Sequence, residues 1–308
     1  MRLAFVNSLC KLAEKDDRLW LVCGDLGYGV LDEFARRFPN RFINAGVAEQ
    51  NMAGVAAGLA QAGQRVFVYS IANFPVMRCM EQIRNDIAYH RLPVCVVTVG
   101  GGLVYGGHGY SHHGVEDLAM MHVLPNMTVF APADPVETRL VTEAAASIDG
   151  PVYLRLGRGG EATLHKQAPA FAVGKALCLR KGATLALFST GGILEPVLSA
   201  AEALTVLGHP PSVYSLPTFF PLDEETIAAE SRRCQAIVTI EEHGRGGLAA
   251  LTAEVLAQSG GGARLIPIRL PREPLAESGS HAYLRERQGL SAAAMVQHIQ
   301  TTLAAWAK

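Results

Sequence analysis

No stretch of the chain approaches the ~20 consecutive apolar residues that a bilayer-spanning helix needs, so none is expected to enter a membrane. A CxxC pair is also missing. The six cysteines, Cys10, Cys23, Cys79, Cys95, Cys178 and Cys234, are scattered, which fits reduced thiols rather than a zinc ribbon or a disulfide framework. Neither sign of charge dominates: 27 Lys and Arg face 28 Asp and Glu. Nucleic acid and anionic membranes therefore find no electrostatic footprint, and any anionic ligand must be held locally. Low-complexity tracts and repeats of solenoid period are absent too. The amino terminus, Met1-Arg2-Leu3-Ala4-Phe5, enters a helical pattern without the apolar core and cleavage site of a signal peptide, which points to a cytoplasmic protein.

What is present is the composition of a packed globule, 49% hydrophobic and 18% charged over 308 residues, enough for one large or two medium domains. Strand and helix patterns alternate: strands at 19–23, 42–44, 65–69, 94–99, 128–131 and 152–156 are interleaved with helices at 5–14, 31–38, 49–61 and 77–89 and another after Asp134-Pro135. That is a parallel α/β layout. A stretch of low periodicity from Gly157 to about Gly182 reads as a connector, and a smaller α/β unit follows with strands at 184–189, 212–215, 236–240 and 264–268. The triplet Glu241-Glu242-His243 reads as a solvated cluster at a strand end.

Residues 41–59 place one carboxylate, Glu49, at the mouth of a helix otherwise rich in Ala, Gly and aliphatic residues. Because a lone charge is costly to strip of water, Glu49 must reach solvent or acquire a dedicated partner, and a proton-handling role accounts for its position. Gly54 and Gly58 lie four apart, as do Ala53 and Ala57, leaving helix faces with almost no side chain. Gly costs a helix about 1 kcal/mol relative to Ala, so this predicts close packing against another element or a second chain. A small-residue core helix with a surface Glu fits the spacing equally well. His108, His112 and His113 share the loop Gly106–His113, but the glycines between Gly100 and Gly107 argue against the helix that metal-ligand spacing would need. No metal ligand is expected in this chain.

Several stretches together resemble, in order and spacing, the carboxy-terminal half of transketolase-type enzymes, which use thiamine diphosphate. They are Gly46-Val47-Ala48-Glu49-Gln50-Asn51-Met52, the loop ending Ser111-His112-His113, Pro125-Asn126-Met127-Thr128 leading to Ala131-Pro132-Ala133-Asp134, Arg155-Leu156-Gly157-Arg158, and Ile240-Glu241-Glu242-His243. The resemblance implies two α/β domains, each a mostly parallel sheet flanked by helices: a pyrimidine-binding domain over 1–162, a linker over 163–182 and a transketolase C-terminal domain over 183–308. It implies that Glu49 hydrogen-bonds N1′ of the cofactor's aminopyrimidine and favours the imino tautomer, whose 4′ nitrogen takes the thiazolium C2 proton. By the same resemblance Phe67, Tyr69 and Phe74 fall where the family keeps its aromatic cofactor pocket, and His112 is the catalytic histidine near the 4′-amino group and the substrate. His113 stands beside it as a further substrate contact. Arg158 or Arg155 fills the position of the arginine that grips a sugar phosphate. Asp25 in Cys23-Gly24-Asp25-Leu26 is similar to an active-site Asp-Leu of the cofactor site, while a strand-end Asp also caps turns.

Two departures matter. No His follows Val97-Thr98-Val99-Gly100, where transketolase carries a phosphate-binding one, so an unphosphorylated or modified sugar becomes an expected substrate alongside sugar phosphates. The Gly-Asp-Gly and later Asn that hold Mg2+ in the family are missing. The chain therefore looks like one subunit of a split enzyme, inactive alone, with an N-terminal diphosphate-binding partner supplying the Mg2+ ligands in an α2β2 heterotetramer. The expected activity is transfer of a two-carbon ketol unit between sugars. The alternatives are a 2-oxoacid dehydrogenase beta subunit, a split 1-deoxyxylulose-5-phosphate synthase, or a noncatalytic assembly subunit of the same fold.

Overall fold

The run Val-Cys-Val-Val-Thr-Val at Val94–Val99 is buried at every position, as a strand covered by helices on both faces must be. The computed structural model describes residues 1–307. Its first part runs α1 (Arg2–Ala13), β1 (Leu19–Cys23), α2 (Asp32–Arg37), β2 (Phe42–Asn44), α3 (Glu49–Gln61), β3 (Arg65–Ile71), α4 (Asn73–Arg78), α5 (Met80–Gln82), β4 (Val94–Val99), α6 (Asp117–His122), β5 (Thr128–Phe130), α7 (Pro135–Ala145) and β6 (Val152–Leu156). The chain continues through β7 (Leu177–Arg180), β8 (Leu185–Thr190), α8 (Leu194–Val206), β9 (Pro211–Ser215), β10 (Thr218–Phe220), α9 (Glu224–Arg233), β11 (Ala236–Glu241), α10 (Leu248–Ser259), β12 (Arg264–Ile268), α11 (His281–Arg287) and α12 (Ala292–Trp306).

The first sheet has the order β10-β5-β6-β4-β3-β1-β2 and is parallel except for β10. Alternation along its strands sends Val22, Val66 and Val68 toward Met52, Ala53 and Ala56 of α3, and Leu21, Phe67 and Tyr69 to the opposite face against Phe5 of α1. After α2 the chain reaches the edge strand β2, and α3 carries it back over β1 to β3, so strand order reverses between β1 and β3. At such a reversal the loops at the carboxyl ends of the strands splay apart and leave a crevice. The second sheet, β12-β11-β8-β9-β7, has its own reversal between β8 and β11.

Four elements escaped the sequence pattern. Within the stretch read as a connector, β7 forms an antiparallel edge on β9. From beyond that stretch, β10 crosses back to pair with β5 and so stitches the two sheets together. Helices α6 and α11 were also unforeseen. The expected single helix at 77–89 is instead broken: α4 starts at Asn73, the chain steps at Cys79 (φ −112°, ψ 17°), and a π-helical turn covers Ile83–Ala88. The Glu241-Glu242-His243 triplet is not solvated, because the end of β11 abuts the first domain, and all three residues are buried.

Candidate active site

The loops that follow β1, β2, β3 and β4 converge at the first sheet's reversal. Asn44, at the end of β2, binds the β1 loop to its own: its Oδ1 accepts the N–H groups of Asp25 and Gly46 at 3.0 Å each, and its Nδ2 donates to Asp25 Oδ1 at 2.9 Å. The Tyr28 hydroxyl donates to the same Asp25 oxygen at 2.6 Å, and these hydrogen bonds, Tyr28 foremost, hold the exposed Asp25 carboxyl below the usual range. Asp25 adopts a left-handed backbone (φ 56°), a conformation that Asp tolerates better than most residues. Gly24, next to it, leaves room above the first turn of α3, since a Cβ there would sit 3.7 Å from Glu49 Cγ.

Glu49 opens α3 and is only 4% exposed. Its Oε2 accepts from Arg78 Nη1 at 3.0 Å, while its Oε1 makes no hydrogen bond among the described residues. Arg78 lies 4.3 Å over the ring of Phe74, one helical turn before it in α4. Phe74 meets the His112 ring edge-on at 5.3 Å, and His112 is 5.0 Å from His108 between ring centroids. Burial, with the nearby His108 charge, lowers the His112 pKa, so the imidazole is neutral near pH 7. A buried carboxylate with one free oxygen, an aromatic face and a neutral imidazole thus line one cleft. Such a set can exchange a proton with a flat heterocycle and orient a hydroxyl-bearing substrate.

The other residues singled out from sequence lie apart from this group. Phe67 and Tyr69 are fully buried on the opposite face of the sheet, packed on Phe5 at 6.1 and 6.0 Å. His113 is fully buried behind the loop, with its carbonyl accepting from Asn73 Nδ2. Arg155 enters an interdomain network. Its Nε lies 3.0 Å from Asp117 Oδ2, and its Nη2 donates to the carbonyls of Gly114 and Glu242. Arg158 is exposed at the end of β6, its guanidinium 5.6 Å from the Tyr105 ring centroid. Arg78 was missed by the sequence reading. Its i, i+4 spacing from Phe74 was the available signal.

The network that holds the histidine loop continues into the second domain. Tyr153 donates to Asp117 Oδ2 at 2.6 Å, and Gly102 and Gly114 exchange backbone hydrogen bonds that close the loop at its base. That closure demands glycine at position 101, where a Cβ would fall 2.3 Å from Arg155 Nε. Burial pushes the Glu241 carboxyl up to about 7, against the two α10 N–H groups it accepts, and lowers His243 to about 4. Glu242 differs. Burial would raise its pKa, but the Arg285 charge and the His281 hydrogen bond outweigh that and hold it at about 2. A carboxyl whose folded pKa is depressed stabilises the fold above its unfolded pKa and loses that contribution as acid approaches the folded value. Wild type should therefore exceed Glu242→Gln in urea stability at pH 6 by about 3 kcal/mol. That advantage should shrink as pH falls from 4.5 toward about 2. A difference constant across the range contradicts the assignment.

Comparison with known proteins agrees with this geometry. Residues 1–160 match the family described as "Transketolase, pyrimidine binding domain" and residues 174–295 "Transketolase, C-terminal domain". One of the two apulose-4-phosphate transketolase chains of Phocaeicola vulgatus is 33% identical over 91% of this chain and 90% of its own length. A 6-deoxy-6-sulfo-D-fructose transketolase subunit from a Clostridium species is 34% identical over 96% and 92%. A 1-deoxy-D-xylulose-5-phosphate synthase from Syntrophotalea carbinolica is 35% identical over 94% of this chain but only 46% of its own. Among solved structures, one titled "Split gene transketolase, inactive beta4 tetramer" superposes with a TM-score of 0.88 at 35% identity, covering 98% of this chain and 97% of that one. No helix among the described residues is long and apolar enough to cross a membrane. The family's domains imply dependence on thiamine diphosphate, and the chain belongs to the transketolase family as the half that carries its pyrimidine-binding and C-terminal domains.

Proposed function

We propose that this chain is the pyrimidine-binding subunit of a split transketolase that transfers a two-carbon ketol unit between sugars or sugar phosphates, and that it works only with a diphosphate-binding partner in an α2β2 assembly. The observation that carries this reading is the Glu49 carboxylate, buried, with Oε2 on Arg78 and Oε1 free toward the cleft. Those atoms fit an aminopyrimidine: Oε1 accepts from a ring N–H, and Phe74 offers an apolar face beside it. When bound, thiamine diphosphate supplies the nucleophilic carbon that carries the ketol unit. Glu49 holds and releases the ring-nitrogen proton at Oε1, while Arg78 keeps the opposite oxygen charge-balanced. His112, neutral, orients a substrate hydroxyl, and Arg158 holds a distal anionic group where one is present.

Among the described residues no three His, Cys, Asp or Glu side chains converge as metal ligands, and we assign the Mg2+ site to the partner. Exposed Tyr28, Val47, Met77 and Tyr110 lie on the segments that frame the cleft. On α3 the Ala53 and Ala57 side is buried, whereas a Cβ on Gly54 or Gly58 would meet nothing within 4 Å, leaving a flat face for a second backbone. The relatives that act on phosphorylated and sulfonated sugars support ketol transfer over decarboxylation of a 2-oxoacid. The test is to supply the purified chain with Mg2+, thiamine diphosphate and a ketose donor. No transfer is expected until a partner carrying Gly-Asp-Gly and a later Asn is added, and robust transfer by the lone chain, or a preference of the pair for pyruvate over ketose, contradicts the reading.

A further inference from the structure

A cavity of about 520 Å3 lies between the two domains, on the far side of His108 from the Glu49 cleft, within the size range of small-molecule sites. Neither Glu49, Phe74, Arg78 nor His112 lines it. It sits outside the carboxyl ends of β8 and β11, where the order of the second sheet reverses, the position at which open parallel sheets bind ligands. The loop after β8 is Gly191-Gly192, and it leads into α8, whose first turn has no side-chain cap. The leading N–H groups of such a helix lack intrahelical partners and carry its positive dipole end.

Opposite this turn lies Arg155. The residue is only 5% exposed and lines the cavity. Its Nε faces Asp117 and its Nη2 is bound to two carbonyls, but its Nη1 makes no hydrogen bond among the described residues. Gly191 is what opens that atom to the cavity, since a Cβ there would stand 3.6 Å from Nη1. Arg158 contributes a second guanidinium at the rim, and Glu195 places one exposed carboxylate on the other side of the opening. Other charged groups of the lining are already paired: Arg285 with Glu242, and Glu161 with the amino terminus.

From these positions we infer that the cavity is a second ligand site, separate from the pyrimidine cleft, which takes a small phosphorylated polyol. The phosphate lies between Arg155 Nη1, Arg158 and the first turn of α8, and the hydroxyls face Glu195. The inference does not depend on ketol transfer. Because His108 lines the cavity and packs on His112, occupancy is transmitted to the catalytic side through that ring pair.

Calorimetric titration of the full chain with glycerol 3-phosphate, inorganic phosphate and glycerol tests it. Glycerol 3-phosphate is expected to bind saturably and more tightly than inorganic phosphate, and glycerol not at all. Gly192→Asp sets a carboxylate at the helix end, where it favours folding yet repels an anion. It should weaken glycerol 3-phosphate about tenfold or more while circular dichroism stays native. Arg158→Gln should weaken binding as well, and Glu49→Gln should leave it unchanged. Absence of saturable binding, equal affinity for the two anions, a native Gly192→Asp that binds like wild type, or a loss with Glu49→Gln as large as that with Gly192→Asp each overturns the inference. In the complex with its partner, a Gly192→Asp that raises KM for a phosphorylated substrate at constant kcat identifies the polyol phosphate as the substrate's own. A rate change produced by added glycerol 3-phosphate at saturating substrate identifies a separate effector.

Discussion

Glu49→Gln lowers kcat of the reconstituted complex by about 10²–10⁴-fold, the range that a positioned proton-transfer group supplies. The amide keeps the size of the side chain and can still accept from Arg78, so folding and partner assembly are expected to survive, which size-exclusion chromatography and circular dichroism would check. What it loses is the ability to hold and release a proton at the atom now occupied by Oε1. The effect should fall on kcat rather than on KM for the sugar, because the substrate lies toward His112 and not on the carboxylate. Activity within a few-fold of wild type would mean that the buried carboxylate serves only as Arg78's partner.

The second large effect lies at the domain junction. Asp117→Ala removes the carboxylate that faces Arg155 Nε at 3.0 Å and accepts from Tyr153 at 2.6 Å, leaving a guanidinium buried without its counter-charge. Breaking a buried pair on one side costs about 3–5 kcal/mol. Urea unfolding should register that loss, and the double variant Asp117→Leu with Arg155→Met should recover most of it, since the uncompensated charge is then gone as well. A loss for Asp117→Ala below about 1 kcal/mol, the scale of an exposed pair, would show that Arg155 is satisfied by the two carbonyls alone. Because Arg155 also holds the Gly114 carbonyl at the base of the histidine loop, the same variant should loosen the loop that presents His112.

Much of the architecture was legible because the parallel strands are buried on both faces: the runs at 42–44, 94–99 and 152–156 coincide with β2, β4 and β6. Strands β7 and β10 were not, since both are short, antiparallel and defined by partners distant in sequence rather than by their own pattern. Glu49 was legible from its isolation among Ala and Gly. The direction of Phe67 and Tyr69 was not, because both alternate with Val66 and Val68 in one hydrophobic run, and only the placement of α1 and α3 decides which face meets which helix. The polarity of Glu241, Glu242 and His243 suggested water, but their partners Asp117, Arg155, His281 and Arg285 are scattered along the chain and become neighbours only through the docking of the two domains.

The central claim is that the Glu49 carboxylate shares a proton with the cofactor's pyrimidine in a cleft that a partner completes. The ¹⁵N resonance of thiamine diphosphate labelled at N1′, recorded on the reconstituted complex, reads that proton directly. Wild type is predicted to shift the resonance away from its free-cofactor position, and Glu49→Gln to return it most of the way. A wild-type resonance that coincides with that of Glu49→Gln would contradict the account.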